Sequence, residues 1–291
     1  MHEYLRAIGF SDRNNYSIIQ KLLEETEREH KKYTSLPMGH EIELCEYKKE
    51  FGSRIGWSLY GKVDENIVFH KDYYCPYFLG AGVSSYSDII VERQSEKEAY
   101  YGICEEIKVG VNLIFLLQNV MDYLREVQNN QLPKAHTSVT LSGLATEGTI
   151  LFPVIKSTEQ EIDGQEEARN RMMLLSAAKQ GDNDAIETLA LEDMDMYQMV
   201  SKRLVTEDVL SIVESYFMPY SVECDRYSVL GEIKYVDETR NEVTNEEIYI
   251  LTLNVNEIMF DVCVPKKTLI GEPEKGRRFK GNIWLQGHIN F

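Results

Sequence analysis

The 291 residues contain few cysteines, few prolines and little positive charge. The five cysteines, at 45, 75, 104, 224 and 263, are odd in number and far apart, which calls for no disulfide framework and excludes a compact zinc site, leaving only distant ligands to converge. Buried thiols in a reducing cytoplasm account for them. Lys and Arg number 31 against 48 Asp and Glu, a net charge of −17. That balance opposes nonspecific attraction to nucleic acid and anionic lipid, and it admits a basic protein partner. Long apolar runs are missing too: the stretch 109–117 is interrupted by Gly110 and Asn112 and is too short to span a bilayer. Met1-His2-Glu3-Tyr4-Leu5-Arg6 lacks the basic-then-apolar layout of a secretory signal. The expectation is a soluble cytoplasmic protein without a membrane partner.

What is present suffices for a sizeable core, with 43% apolar residues and 18 tyrosines. The centre of the chain, 165–217, is acidic, methionine-rich and helical in pattern. Ser157 and Gln160 have capping-box spacing, but Gly164 follows, so a helix is predicted from Gln165. Ala168, Met172, Leu175 and Ala178 recur at helical spacing, Gly181 suits a stop, and the stretch Asp182 to Asp184 suits the cap of a second helix. Further helices are predicted over 194–204 and, after Thr206, over 209–217, ended by Pro219. Between residues 157 and 220 stand 14 acidic and 5 basic residues, a local charge of −9. Such a surface is ordinarily a solvated helix face, and otherwise a docking surface for a basic partner.

Ahead of this segment, a helix is predicted over 12–31, with Ile18, Ile19, Leu22 and Leu23 inward. Pro37 and Gly39 close a connector. Strands are expected at 41–47, 56–63, 67–70, 89–93 and 100–107, with a turn at Asp64-Glu65-Asn66 and an aromatic loop at 73–78. A strong helix is predicted over 112–128, then a strand pair at 138–141 and 149–154. After the acidic segment the texture is all-β, with strands at 226–236, 247–255, 258–264 and 278–289. The fold class is therefore α+β: an N-terminal antiparallel sheet packed with helices (1–156), an acidic helical connector (157–220) and a small antiparallel barrel of the oligonucleotide-binding type (221–291).

Several blocks carry a resemblance. The opening Met1-His2-Glu3-Tyr4-Leu5-Arg6-Ala7-Ile8-Gly9-Phe10 resembles the start of a family of uncharacterised bacterial, clostridial-type proteins classed as a domain of unknown function. Leu191-Glu192-Asp193-Met194-Asp195-Met196-Tyr197, Tyr216-Phe217-Met218-Pro219-Tyr220 and the run from Gly276 to Gly287 are similar to its later blocks. The resemblance covers nearly the whole chain and implies an intracellular bacterial protein. It supplies no activity, so no catalytic residue follows from it.

Motifs of known chemistry do not survive inspection. Gly80-Ala81-Gly82 opens like a dinucleotide fingerprint, but position 85 is Ser and a strand pattern follows where a helix N-terminus is required. Gly271 and Gly276 have P-loop spacing, yet Arg277-Arg278 replaces the Lys and hydroxyl pair. His40-Glu41 lacks a second histidine, and Asp193-Met194-Asp195, which superficially resembles the metal-binding pair of some sugar-nucleotide enzymes, reads as an acidic helix terminus. No catalytic residue, metal or cofactor is assigned.

Two constellations remain. Trp57, Tyr60, Tyr73, Tyr74 and Tyr77 could line a pocket for a planar or sugar-like ligand, although tyrosines also pack ordinary sheet faces. Lys275, Arg277, Arg278 and Lys280 beside Phe279 and Trp284 have the interleaving of a single-strand binding face. In so acidic a chain, Arg277, Arg278, Lys280 and Trp284 are assigned to an interdomain or partner interface. The leading reading is a noncatalytic interaction or regulatory protein, with a protein partner or a homodimer. An enzyme or ligand sensor assembled from distant residues is the alternative, and a single-stranded nucleic-acid binder comes third.

Overall fold

The structure, a computed structural model, describes residues 3–12, 16–28, 33–38, 42–66, 68–94, 99–106, 108–131, 137–154, 158–203, 205 and 208–291; helix side chains at 158–168, 196, 199, 200 and 203 lie outside that description. Helix α1 (Tyr16–Arg28) turns Ile19, Leu22, Leu23 and Thr26 inward, as its apolar spacing requires. Four antiparallel strands follow: β1 (Tyr33–Pro37), β2 (Glu43–Gly52), β3 (Ile55–Val63) and β4 (Phe69–Phe78), in that spatial order. The turn after β3 is fixed by Asp64, whose Oδ1 accepts the N–H of Asn66 and of Val68 at 3.0 Å each. The aromatic stretch 73–78 is the second half of β4 rather than a loop, and β1 occupies what the sequence pattern gave as a connector. An edge strand ending in Pro carries little alternation to betray it.

A larger mixed sheet takes strands from both sides of the acidic segment. Its members are β5 (Ile89–Arg93), β6 (Tyr100–Glu106), β7 (Val111–Leu117), β8 (Ser138–Ala145), β9 (Gly148–Leu151), β10 (Tyr216–Pro219), β11 (Arg226–Arg240), β12 (Glu247–Val255), β13 (Ile258–Pro265), β14 (Leu269–Ile270) and β15 (Arg278–Asn290). The main path runs β10-β11-β12-β13-β8-β15-β7-β6-β5. β8 pairs in parallel with β13 and antiparallel with β15, and β15 also pairs with β11. Pairings thus link β11, β12, β13, β8 and β15 in sequence and β15 back to β11; Val229, Leu253, Phe260, Val262, Phe279 and Leu285 on these strands are fully buried.

Four further expectations about elements need correction. The predicted helix over 112–128 is strand β7 followed by helix α2 (Val120–Gln128). Leu113 to Leu117 is a short apolar run buried among neighbouring strands, and periodicity cannot separate that from a helix. The strands around 138–145 and 148–151 do not pair with each other; each pairs with a different part of β15. In the centre, two long helices replace several short ones: α3 (Thr158–Lys179) and α4 (Asn183–Arg203). Gly181 has φ of 89°, and Asp182 Oδ1 accepts the N–H of Asp184 at 3.0 Å and of Ala185 at 3.2 Å, as the helix stop and cap demand. The short α5 (Val209–Ile212) is capped by Asp208, and Tyr216 and Phe217 belong to β10, not to a helix. The expected caps at Ser157 and Thr206 and the His40-Glu41 pair lie outside the described residues.

The N-terminal segment joins the two sheets. Leu5, Ala7, Ile8 and Phe10 have no exposed surface. Asn241, in the turn between β11 and β12, donates from Nδ2 to the Ile8 carbonyl at 2.7 Å, and the Thr244 hydroxyl donates to the Gly9 carbonyl at 2.6 Å. Phe10 then meets Phe51 edge-on, with centroids 5.0 Å apart.

Candidate interaction site

The aromatic set is divided by the pleat. Trp57 and Tyr74 share the face of β3 and β4 that receives α1; their rings meet edge-on at 5.8 Å, and Trp57 Nε1 donates to Thr26 Oγ1 at 3.3 Å. Register puts Glu46 opposite Tyr60 and Tyr60 opposite Tyr73, with Lys48, Ser58, Cys75 and Tyr77 on the same, second face. There Tyr60 donates its hydroxyl to Glu46 Oε1 at 2.7 Å, Lys48 Nζ stands 3.3 Å from that oxygen, and Tyr73 stacks on Tyr60 at 5.0 Å. Burial first, and then the Glu46 charge, hold the Tyr60 phenol far above its usual range. The Cys75 thiol is pushed up to about 12, again by burial and then Glu46. Tyr77 is raised mainly by burial, and its ring lies against Gly56, where a Cβ would fall 2.5 Å from the phenolic oxygen. Trp57, Tyr60 and Tyr77 are buried; Tyr73 and Tyr74 are partly exposed. Glu46, the carboxylate on which this face depends, carries no motif, because a polar residue in a strand normally marks the wet side.

The cationic strand also splits. Arg278 is buried and donates from Nε to the Phe152 carbonyl at 2.9 Å, from Nη1 to Val213 at 2.7 Å and from Nη2 to Leu210 at 2.8 Å. Burial lowers its pKa, against the pull of Glu214. Arg277 points outward, donating to the Glu272 carbonyl at 2.8 Å, pairing with Glu274 at 3.0 Å and covering the exposed Phe152 ring at 5.6 Å. Lys280 is partly exposed opposite Thr149 and Leu230. Trp284 is buried and donates from Nε1 to Asp225, while the Arg226 guanidinium stacks over Tyr4 at 4.4 Å and lies 5.6 Å from the Trp284 ring centre. The strand therefore supplies one internal latch, one aromatic clasp on the N-terminal segment and two outward cations.

The Arg278 latch has a topological meaning. Phe152 lies just before the helical excursion and Leu210 and Val213 just after it, so one guanidinium holds both feet of α3 and α4. Cations are favoured at the carbonyl end of a helix, where the last C=O groups lack partners, and α5 ends there. Across the hairpin, Arg171 of α3 pairs with Asp193 at 2.6 Å and with Glu192 at 3.7 Å on α4. Lys179 at the end of α3 pairs with Glu105 of β6 at 2.5 Å.

Beyond those ties, the hairpin leaves large apolar side chains in water. Met173 is 67% exposed, Leu191 59%, Met194 61% and Tyr197 76%, and Ile186 is also exposed. On α4, with ~100° per residue, Ile186, Leu191, Met194 and Tyr197 fall within an arc of about 140°. Ala185 and Leu189, which are buried, lie outside that arc. The methionine-rich composition was visible in the sequence; the direction in which the methionines point was not.

The fold and its surface define an α+β protein with a four-stranded antiparallel sheet, a larger mixed sheet and a latched helical arm. The chain belongs to the family described as "Domain of unknown function, E. rectale Gene description (DUF3881)", which matches residues 5–287 and agrees with the bacterial family expected from the sequence blocks. No curated protein and no solved structure matches the chain. No helix among the described residues is long and apolar enough to cross a membrane.

Proposed function

We propose that this is a noncatalytic interaction protein, in which the two sheets form a scaffold and the α3–α4 arm makes the contact. The observation that carries the reading is the exposure of Ile186, Leu191, Met194 and Tyr197 on one face of α4, in an arm whose two feet are tied to the body through Arg278. Apolar side chains gathered on one helix face have a reason to exist if a partner buries them, whereas scattered ones need none. Of the expected portions 1–156, 157–220 and 221–291, this reading gives the contact to the helices of the middle one, while all three contribute strands to the larger sheet. So does a cytoplasmic setting, since Cys45, Cys75, Cys104 and Cys263 are buried free thiols. A photoreactive amino acid at position 194 tests it in living cells. Cross-links to a polypeptide that vanish when the same group is moved to Tyr235, which is exposed on β11, support the reading. Equal capture at both positions, or none at either, overturns it.

A second reading draws on the face of Glu46, Tyr60 and Tyr73: a small-ligand sensor whose polar end is Lys48 and whose wall is Tyr73. The partly exposed Tyr73, stacked on a phenol tied to a buried carboxylate, favours it. The β11-β12-β13-β8-β15 circuit invites a third reading, a barrel of the oligonucleotide-binding type with β8 contributed from the N-terminal half. Nucleic-acid binding by that barrel ranks last, given a net charge of −17.

A further inference from the structure

The chemistry of the arm narrows what it would hold. Along α4 the apolar arc of Ile186, Leu191, Met194 and Tyr197 is bordered by acids: Asp193 on one side, Asp184 and Asp195 on the other, and Glu187 within it. Arg171 takes up Asp193, but no ion pair among the described residues involves Asp184, Glu187 or Asp195. We propose, resting on the interaction reading above, that this face docks an amphipathic helix of another protein, apolar along one stripe and bordered by Lys or Arg. Three features argue for that occupant. The arc is about as wide as the apolar stripe of an amphipathic helix, and it runs for three turns, about 16 Å, which suits anchors spaced at i, i+3, i+4 and i+7. Met194, in the middle of the arc, adapts its shape to different aliphatic partners at little cost in rotamer strain. The charge selects the sign: 14 acids against 5 bases over 157–220 attract a cationic helix and oppose the same arm of a second copy.

The test uses the full chain and three fluorescein-labelled designed peptides of about 18 residues, long enough to form a helix on a surface. One is a Leu/Lys amphipathic helix, one has Glu in place of Lys, and one keeps the Leu/Lys composition with the stripe scrambled. Fluorescence anisotropy at physiological salt is expected to give saturable binding of the first, with the other two weaker by at least about tenfold. Two double variants at exposed positions, Met194→Ser with Tyr197→Ser and Glu187→Lys with Asp195→Lys, are each expected to weaken it about tenfold, with unchanged thermal unfolding. Equal binding of the scrambled peptide would reduce the effect to charge alone and overturn the proposal. Retained affinity in the Met194/Tyr197 variant would overturn it as well. If no peptide binds while cross-linking at position 194 still captures a polypeptide, the helix assignment is wrong and the interaction reading stands. If both fail, both are wrong.

Discussion

Arg278 donates to the carbonyl oxygen of Phe152 at 2.9 Å, and the same guanidinium reaches Leu210 and Val213 on the far side of the helical excursion. An arm inserted between two sheet strands needs its feet held together, and planar Arg can serve three carbonyls where Lys offers a single point charge. Arg278→Ala is expected to lower unfolding stability by about 2–4 kcal/mol, since charged hydrogen bonds contribute about 1.5–3 kcal/mol each but do not add fully. Arg278→Lys should recover about half of that loss. Limited proteolysis should also cut faster within 158–203 in the Ala variant. Urea unfolding within about 0.5 kcal/mol of wild type would dismiss the latch.

Arg54 and Asp261 form the corresponding clamp between the sheets. Asp261, almost completely buried, accepts from Arg54 Nη2, from the Ala81 N–H at 3.0 Å and from the Thr252 hydroxyl at 2.6 Å. Arg54 itself donates from Nε to the Leu79 carbonyl at 2.6 Å and covers the Phe78 ring at 4.9 Å. Asp261→Ala strands a half-buried guanidinium and two further donors, so a loss of about 3–5 kcal/mol is expected. Adding Arg54→Ala should return part of it, because the stranded charge is then gone. A double-mutant cycle with coupling below about 0.5 kcal/mol would show that the pair does not act as a unit.

These contacts mark what the sequence could and could not disclose. The Gly181 stop, the Asp182 cap and the Asp64 turn are local chemistry, so residue type and spacing sufficed. Four C-terminal strands were legible because alternation and turn residues bracket them. Leu113 to Leu117 was not, since a strand buried among neighbours has no period of its own. The parallel pairing of β8 with β13 joins residues more than a hundred positions apart and leaves no local trace. Arg278 was singled out as an interface residue, but its partners are backbone carbonyls, which every residue carries. Of the candidate aromatics, the sequence supplied membership and the pleat decided the faces: Tyr60 and Tyr73 on one, Trp57 and Tyr74 on the other.

Asp225 gives a pH-dependent prediction. Burial raises its carboxyl above the usual range, although the Trp284 hydrogen bond and the neighbouring Arg226 pull the other way. Because the folded form holds its proton more tightly than the unfolded one, the folded state binds more protons across that window. Stability from this group therefore falls as pH rises from about 3.9 through the raised folded value. Asp225→Asn keeps an oxygen for Trp284 Nε1 and removes the titration. Its stability relative to wild type should be more favourable at neutral pH than in mild acid, as read from urea unfolding at several pH values. A difference that is flat with pH, or that runs in the opposite direction, would contradict the burial argument.

The thiols offer a simpler check on burial. Cys45 is pushed up to about 11 and Cys75 to about 12, each mainly by burial, and Cys104 and Cys263 are raised for the same reason. Cys224 is the exposed one, and its thiol too is raised, by partial burial and then by Asp225. Only the thiolate attacks a disulfide reagent, so both access and charge state set the rate. Native protein at mildly alkaline pH should release one equivalent from Ellman's reagent, more slowly than free cysteine does. The remaining thiols should follow only on unfolding in guanidinium, to a total of five. Cys224→Ser should abolish the early phase and leave the unfolding midpoint unchanged. Below its pKa the early rate should climb about tenfold per pH unit. A second equivalent reacting at the early rate would mean that one of the sheet thiols reaches solvent, and it would undo the burial assigned to that thiol; loss of the second equivalent in Cys75→Ser would place the fault on the face of Glu46 and Tyr60.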